Sequence, residues 1–160
     1  MHRRSLIATL AALPLAALAR PAQAQASFIF DSIDGGLYDM AEWRGRPVLV
    51  VNTASLCGYT PQYDELQALH EEYGSRGLVV LAVPSDDFRQ ELASDEAVAE
   101  FCEVNFDLTL PMTTITPVRG SAAHPFYRWL RDSYGYTPTW NFNKVLLDGE
   151  GRVVDTFGSN

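Results

Sequence analysis

Short continuous apolar runs alternate along the chain with longer segments of mixed apolar and polar residues. The apolar runs predict strands, and the mixed segments predict helices. The run Val48 to Val51 is short and β-branched, and Leu78 to Val83 repeats the pattern, so both are predicted to be buried parallel strands. Between them, Gln62 to Tyr73 is predicted to form a helix, because Pro61 has the fixed φ that suits a first helical turn. Strand, helix and strand in this order predict an α/β fold.

The other predicted elements are shorter and complete the same architecture. They are a hairpin of Phe28 to Phe30 and Gly35 to Met40, a helix through Ala97 to Val104 capped by Ser94 with Ala97, Phe101 and Val104 on one face, an extended segment Pro111 to Thr116, a helix Pro125 to Tyr134, and a hairpin of Asn143 to Leu147 and Val153 to Phe157. This pattern predicts a central mixed sheet with helices on both faces. Ligands are then expected outside the carboxyl ends of the strands.

A cysteine lies at that predicted edge. Cys57 follows the first buried strand in a loop that leads into the helix, and Gly58 permits a tight turn there. The positive end of the helix dipole and free backbone N–H groups can stabilise a thiolate at such a position, and the thiolate is the reactive form of cysteine. A buried structural thiol is the alternative and the commoner fate of a free cysteine. The position of Cys57 favours the reactive interpretation.

The first 26 residues have the features of a bacterial signal peptide. Arg3 and Arg4 precede an apolar stretch from Leu6 to Ala19, which is too short to span a bilayer, and small residues follow it. The paired arginines indicate either a twin-arginine signal or an ordinary secretory one. Both predict export to the periplasm, with residues 27–160 as one domain and no stable membrane insertion.

Charge and cysteine count exclude several classes of function. Twelve basic residues less the three arginines of the signal peptide leave nine against twenty acidic ones, a net charge of −11, so nucleic acid is an unsuitable partner. Cys57 and Cys102 are too few for a disulfide scaffold. Neither has a His or Cys at short spacing, so no metal site is predicted, and no other cofactor is predicted either. Redox chemistry at a thiol is the predicted use of the cysteines.

Five motifs, in order along the chain, resemble those of the glutathione peroxidase family. They are V-V-N-T-A-S-L-C-G-Y-T-P-Q-Y at 50 to 63, V-P-S-D-D-F at 83 to 88, L-P-M at 110 to 112, H-P-F-Y-R-W-L at 124 to 130 and W-N-F-N-K at 140 to 144. The resemblance covers nearly all of residues 28 to 158. It implies a thioredoxin-like fold and the reduction of peroxides by Cys57, with Trp140 and Asn141 as the family's supporting residues.

The implied chemistry accounts for these residue types. A Cys57 thiolate attacks the peroxide, which gives a sulfenic acid and releases water or an alcohol. Negative charge then moves onto the leaving oxygen, to which the indole N–H of Trp140 and the amide of Asn141 can donate. Core packing of Trp140 and a turn or cap at Asn141 are the alternatives. The predicted function is reduction of hydrogen peroxide and organic or lipid hydroperoxides in defence against oxidative stress.

The chain departs from the family pattern at Asp87. The glutamine of the family's N-Q-F motif falls at this residue, within D-D-F at 86 to 88. An ionised carboxylate beside a thiol disfavours the thiolate, so Asp87 is expected to hold a proton, to point elsewhere, or to orient Trp140 and Asn141 by accepting from them. Of these, a proton or an orienting role is favoured.

Two features of the C-terminal part of the chain, its end at Asn160 and the short connection Asp132 to Thr139, differ between members of the family. Members of the family continue past F-G-S-N into a helix that packs on the sheet, whereas this sequence stops at Asn160. A C-terminal helix is therefore expected to be missing, which would uncover an apolar face of the sheet. The short connection Asp132 to Thr139 resembles that of the monomeric or loosely dimeric members, which have an open site for bulky peroxides.

The reductant and two other functions stay open. Cys102 lies one residue earlier than the resolving cysteine of thioredoxin-dependent members, a rotation of about 100° on a helix, so a buried structural thiol is slightly favoured over a resolving role. Glutathione or a thioredoxin-like protein is the expected thiol reductant. A thioredoxin-like disulfide oxidoreductase usually needs Cys-x-x-Cys, and the fourth position here is Thr60. A non-enzymatic binding module requires Cys57 to be buried and unreactive.

Overall fold

The computed structural model describes residues 27–160, and the predicted signal peptide lies outside this range. It begins with a small antiparallel hairpin, β1 (Ile29–Asp31) and β2 (Leu37–Asp39), and a 3-10 helix at Met40–Trp43. The main elements follow as β3 (Val48–Thr53), α1 (Gln62–Gly74), β4 (Val79–Pro84), α2 (Asp95–Phe106), α3 (Pro125–Tyr134), β5 (Lys144–Leu147) and β6 (Val153–Phe157). Within residues 27–160, no helix has the length and apolar character that crossing a membrane requires.

The main sheet is mixed, with the strand order β4-β3-β5-β6. Strand β3 pairs parallel with β4 and antiparallel with β5, and β5 pairs antiparallel with β6. All six residues of β3 and all six of β4 are buried, which explains why their sequences read as continuous apolar runs and not as alternating ones. The predicted central mixed sheet is therefore confirmed.

Helices cover both faces of this sheet, as predicted. One face packs against α3 and the N-terminal hairpin, and its buried residues include Phe30, Val48, Val50, Phe126 and Leu130. The other packs against α1 and α2, and its buried residues include Val51, Tyr63, Leu66, Val98 and Phe142. Neighbouring residues of β3 point to opposite faces, so this one strand contributes to both cores.

The face of α2 that carries Ala97, Phe101 and Val104 is not the face that packs into the core. The helix buries Val98 and Cys102, whereas Val104 is 75% exposed and Ala97 and Phe101 are only partly buried. Exposed Glu96, Glu100 and Glu103 share one side of this helix, and buried Val98 and Cys102 lie on the side opposite to it. Packing against α1 and the sheet decides the orientation, and it turns Cys102 into the core.

Strand β6 is the last element, and no helix follows it within the described residues. As an edge strand it leaves Val154 59% and Phe157 42% exposed. The tail after it is tied to the start of α1, since the Tyr59 hydroxyl donates to Asn160 Oδ1 over 2.8 Å and Gln62 Nε2 donates to the carbonyl of Ser159. The end of the sheet and the segment around Cys57 are thereby linked.

Candidate active site

The loop after β3 carries Cys57 to the carboxyl edge of the sheet, and its own bonds hold its shape. Thr60 Oγ1 donates to the carbonyl of Ala54 over 2.8 Å and accepts from the backbone N–H of Cys57 over 3.0 Å. The backbone N–H of Tyr59 donates to Cys57 Sγ at 3.4 Å. A hydrogen bond to sulfur favours the charged form of a thiol, so the loop supplies one donor of the expected kind. Thr60 thus has a local structural role at the position where Cys-x-x-Cys proteins have their second sulfur.

Cys57 is nearly enclosed by its surroundings. The residue is 8% exposed and belongs to the apolar cluster beneath α1 and α2, whereas its neighbour Leu56 is 59% exposed. Only a narrow part of Cys57 therefore faces solvent. Because the thiolate is the reactive form of cysteine, the rate at which Cys57 reacts separates a catalytic thiol from a structural one at this position.

Strand pairing brings the W-N-F motif to the same edge. Strand β5 runs antiparallel to β3, with Lys144 opposite Val51, so the residues just before β5 lie beside the loop just after β3. Asn52 fixes this approach, because its Nδ2 donates to the carbonyl of Trp140 over 3.0 Å and its own carbonyl accepts from the N–H of Phe142. Two predicted site segments, more than 80 positions apart in sequence, are thus adjacent in the fold.

The turn that carries the motif holds an unusual backbone conformation. Phe142 is fully buried and has a φ of +59°, which is uncommon for a bulky residue. Such strained residues concentrate at functional sites, where the surrounding packing enforces them. Here the bonds to Asn52 on one side and burial against Tyr63 on the other enforce the turn.

The side chain of Trp140 is partly exposed and free to bind a ligand. The residue is 40% exposed, and its ring packs against Phe88 with centroids 5.3 Å apart. The Arg119 guanidinium lies over the same Phe88 ring, 5.2 Å from its centroid. Within residues 27–160 the indole N–H of Trp140 has no acceptor, so it is available as a donor.

Asn141 is fully buried and contacts a residue that sequence reasoning missed. Its Nδ2 donates to Gln90 Oε1 over 2.9 Å, and its Oδ1 has no partner in the described part of the chain. The carbonyl of Gln90 in turn accepts from the N–H of Leu56 over 2.9 Å, one residue before Cys57. The signal available in the sequence was a glutamine amide three positions after Asp87, in the loop where the family has its glutamine.

The orienting role of Asp87 is not supported by its position. Its Oδ2 accepts from the N–H groups of Val118 and Arg119, over 2.6 and 2.9 Å, and not from Trp140 or Asn141. These two N–H groups have no other acceptor in residues 27–160, so the carboxylate satisfies them and anchors the 117–119 loop. The expectation that Asp87 orients the two donors is therefore wrong, and the alternative that it points elsewhere is correct.

Glu91, beside Gln90, is a second residue that sequence reasoning missed. It is 8% exposed, and its Oε1 accepts from the N–H of Ser55 over 3.0 Å and of Leu92 over 2.8 Å. Burial raises the pKa of this carboxyl, against the opposing effect of its hydrogen bonds with Ser55 and Leu92. Glu91 thus binds the backbone two residues before Cys57.

Cys102 is placed as a buried core residue. It is 2% exposed, and burial raises its pKa to about 11. Both cysteines are free thiols. A thiol of this kind is a poor nucleophile near neutral pH, so the geometry favours the structural alternative over the resolving one. No group of three His, Cys, Asp or Glu side chains in residues 27–160 is arranged to hold a metal ion.

Comparison with known proteins identifies the family. The sequence model of glutathione peroxidase matches residues 26–131. The chain belongs to the glutathione peroxidase family. It is 38% identical over 131 residues to a glutathione peroxidase-like peroxiredoxin of Schizosaccharomyces pombe, with 79% of this chain and 83% of the relative covered. It is 37% identical over 130 residues to a glutathione peroxidase of Lactococcus lactis, with 78% and 83% covered.

Solved structures agree with this assignment. The crystal structure of T. cruzi GPX1 has a TM-score of 0.64 at 30% identity, with 82% of this chain and 84% of that chain covered. A thiol:disulfide interchange protein of the thioredoxin family from Chlorobium tepidum has a TM-score of 0.63 at 19% identity and 88% coverage of both chains, which is a likeness of fold alone. The resemblance read from the sequence and the thioredoxin-like fold are confirmed, and the chain is a peroxidase of the oxidoreductase class.

Proposed function

We propose that Cys57 is the peroxidatic residue of this chain and reduces hydrogen peroxide and organic or lipid hydroperoxides. The observation that carries this proposal is the antiparallel pairing of β3 with β5, which places the loop of Cys57 beside the turn of Trp140 and Asn141. Ligands of open α/β sheets bind at this edge. The same edge therefore holds a nucleophile, a free indole N–H and a buried amide.

The proposed step balances without any cofactor. The Cys57 thiolate attacks one peroxide oxygen, a sulfur–oxygen bond forms as the oxygen–oxygen bond breaks, and sulfur is oxidised to a sulfenic acid. The leaving oxygen takes up the proton that the thiol released and departs as water or an alcohol. Trp140 and Asn141 donate to that oxygen as its negative charge develops, and donors aimed at developing charge stabilise a transition state strongly.

The surroundings of the site support organic peroxides as well as hydrogen peroxide. Exposed Leu56 and Trp140 and half-buried Phe88 give this edge an apolar rim. A hydroperoxy fatty acid reductase of Synechocystis is 36% identical to this chain over 143 residues, with 82% of this chain and 85% of that protein covered. Both observations support lipid hydroperoxides as substrates.

We propose glutathione or a thioredoxin-like protein as the thiol reductant, and Lys144 is not free to bind glutathione. Glutathione carries two carboxylates, which call for free basic side chains at the site. Lys144 is the single lysine of the chain, and its Nζ already donates to Gln62 Oε1 over 2.9 Å and to the carbonyl of Phe142 over 2.8 Å.

We further propose a monomer or weak dimer that acts in the periplasm against oxidative stress, with the features of residues 1–26 supporting export.

The test compares two thiol variants of the protein. Hydrogen peroxide is added at one equivalent, and sulfenic acid is trapped with dimedone and located by mass spectrometry. Cys57→Ser should abolish both trapping and peroxide consumption, because a serine hydroxyl is not ionised near neutral pH, whereas Cys102→Ser should retain both. Peroxide consumption by Cys57→Ser would overturn the proposal. Activity in a disulfide exchange assay, with no sulfenic acid formed, would favour the oxidoreductase alternative.

A further inference from the structure

Two adjacent residues, Gln90 and Glu91, contact both the Cys57 loop and the turn of Trp140 and Asn141. The carbonyl of Gln90 accepts from Leu56 N over 2.9 Å, and Glu91 Oε1 accepts from Ser55 N over 3.0 Å. The side chain of Gln90 points the other way, and its Oε1 accepts from Asn141 Nδ2 over 2.9 Å. One short segment therefore fixes the backbone just before Cys57 and also holds the amide of the opposite turn.

The bond between Gln90 and Asn141 is the only side-chain hydrogen bond that fixes this amide in residues 27–160. Asn141 is fully buried, its Oδ1 is unpartnered, and its carbonyl accepts from Ser159 Oγ over 2.7 Å. The backbone of Asn141 is thus held by one contact and its side chain by another. Removing the Gln90 acceptor would leave a buried amide with no partner and free to rotate.

We propose that Gln90 is a positioning residue, which acts through Asn141 and fixes that amide in the orientation that serves the peroxide bound beside Cys57. The inference rests on the proposed peroxidase function. The carbonyl of Gln90 accepts a hydrogen bond from Leu56 N, which fixes the backbone of Gln90 relative to the Cys57 loop. The side chain of Gln90 extends from this fixed backbone. Gln90 is therefore hydrogen-bonded both to the Cys57 loop, through its carbonyl, and to Asn141, through its side chain, and so fixes the position of Asn141 relative to the thiol.

The proposal predicts a selective loss of reactivity. A misplacement of about 1 Å at a reacting group costs up to about a hundredfold in rate, so Gln90→Ala should slow sulfenic acid formation by about ten- to a hundredfold. Alkylation of Cys57 by iodoacetamide should stay nearly unchanged, because it needs a thiolate but no donor to a leaving oxygen. Equal losses in both reactions would indicate general damage to the Cys57 loop and would overturn the proposal.

A double-variant cycle decides whether Gln90 acts through Asn141. Stopped-flow rates with hydrogen peroxide are measured for Gln90→Ala, Asn141→Ala and the double variant. If Gln90 works through Asn141, the double variant reacts no more slowly than Asn141→Ala alone, since no amide is left to position. Losses that multiply would show that Gln90 acts on the peroxide independently, and would overturn the proposal.

Matched variants separate positioning from folding. Gln67 on α1 is likewise hydrogen-bonded, since its Oε1 accepts from Thr109 N over 3.0 Å, but it lies in another network. Gln67→Ala therefore controls for the loss of a bonded glutamine and should keep the wild-type rate. If Gln90→Ala does not fold, Gln90→Met keeps similar length without the acceptor and should show the same selective loss. A wild-type protein that forms no sulfenic acid would overturn both the proposed function and this inference. A reactive wild type with an unaffected Gln90→Ala would overturn the inference alone.

Discussion

The side-chain amide of Asn52 donates to the carbonyl of Trp140 across 3.0 Å, although the two residues are 88 positions apart. The backbone of Asn52 also bonds to both residues that lead into β5, donating to the carbonyl of Asn143 over 3.2 Å and accepting from Phe142. Asn52 stands near the end of β3, five residues before Cys57. It therefore connects the segment that carries the thiol with the turn that carries the proposed donors.

Asn52→Leu, which keeps the volume of the side chain and removes its donor, should slow sulfenic acid formation and lower the free energy of unfolding by about 1–2 kcal/mol. The loss of rate follows because the Trp140 turn is no longer tied to β3. Asn105→Leu is the control, since Asn105 also donates to a backbone carbonyl, over 2.8 Å, but on the exposed side of α2. Stopped-flow kinetics and urea unfolding measure the two effects. A wild-type rate in Asn52→Leu would contradict the proposed role.

Trp140→Phe should slow sulfenic acid formation by about ten- to a thousandfold, the range for losing one positioned donor or proton-transfer group. The ring stays and the indole N–H is lost, so packing against Phe88 is largely kept. Trp129→Phe is a matched control, because Trp129 packs against Phe28, with centroids 5.2 Å apart, and not against Phe88. Equal rates for Trp140→Phe and wild type would return Trp140 to a packing role.

Cys102 should not form a disulfide with oxidised Cys57 at neutral pH. With a pKa of about 11, roughly one part in a thousand of the Cys102 thiol is ionised at pH 8. The Cys57 sulfenic acid should therefore persist until an external thiol arrives, and its lifetime should be equal in wild type and Cys102→Ser. Mass spectrometry under non-reducing conditions checks this. An intramolecular disulfide at pH 7 would show that α2 opens to deliver Cys102.

Asp87→Gln should leave the pH profile of Cys57 alkylation unchanged. The carboxylate binds the N–H groups of Val118 and Arg119, so its charge is engaged away from the thiol. Asp87→Ala should instead speed hydrogen exchange at Val118 and Arg119, since both amides lose their acceptor. A shift of the alkylation midpoint to lower pH in Asp87→Gln would show that the carboxylate acts on Cys57 after all.

Glu91→Gln should gain stability relative to wild type as pH rises. Burial raises the pKa of Glu91, so the folded state holds this proton more tightly than the unfolded chain does. The resulting stabilisation is fully present below the unfolded pKa, near 4.5, and is lost as pH rises through the folded pKa. A glutamine cannot ionise and keeps the acceptor for Ser55 N. Urea unfolding of both proteins between pH 4 and 8 measures the difference.

Glu96→Gln is the control with the opposite sign. Hydrogen bonds with its own backbone N–H and with Ser94 lower the pKa of this exposed carboxyl at the start of α2. The stabilisation by ionised Glu96 is present above the unfolded pKa and is lost as pH falls through the folded pKa. Glu96→Gln should therefore be less stable than wild type at neutral pH, and this difference should shrink towards pH 4. A gain for Glu91→Gln that does not change with pH would contradict the assigned cause.

Local patterns were sufficient for most elements of the fold. The continuous apolar runs predicted β3 and β4 because both strands are buried on both faces, and Ser94 predicted the start of α2, where its Oγ accepts from Ala97 N over 3.3 Å. In α2 the core receives Val98 and Cys102, which lie opposite the exposed Glu96, Glu100 and Glu103, and not the face of Ala97, Phe101 and Val104. The placement of Asp87 was mistaken because its partners, Val118 and Arg119, lie some thirty positions away.

The elements, the loop position of Cys57 and the motifs that mark the family can be read from the chain, because strand runs, turn residues and caps act within a few residues. Which side chains meet at the site depends on how the strands pair. The contacts of Asn52 with Trp140 and of Gln90 with Asn141 depend on the antiparallel register of β5 against β3, and the left-handed backbone of Phe142 on the burial that enforces it. Such contacts join segments 50 or more positions apart, and no local pattern in the chain specifies them.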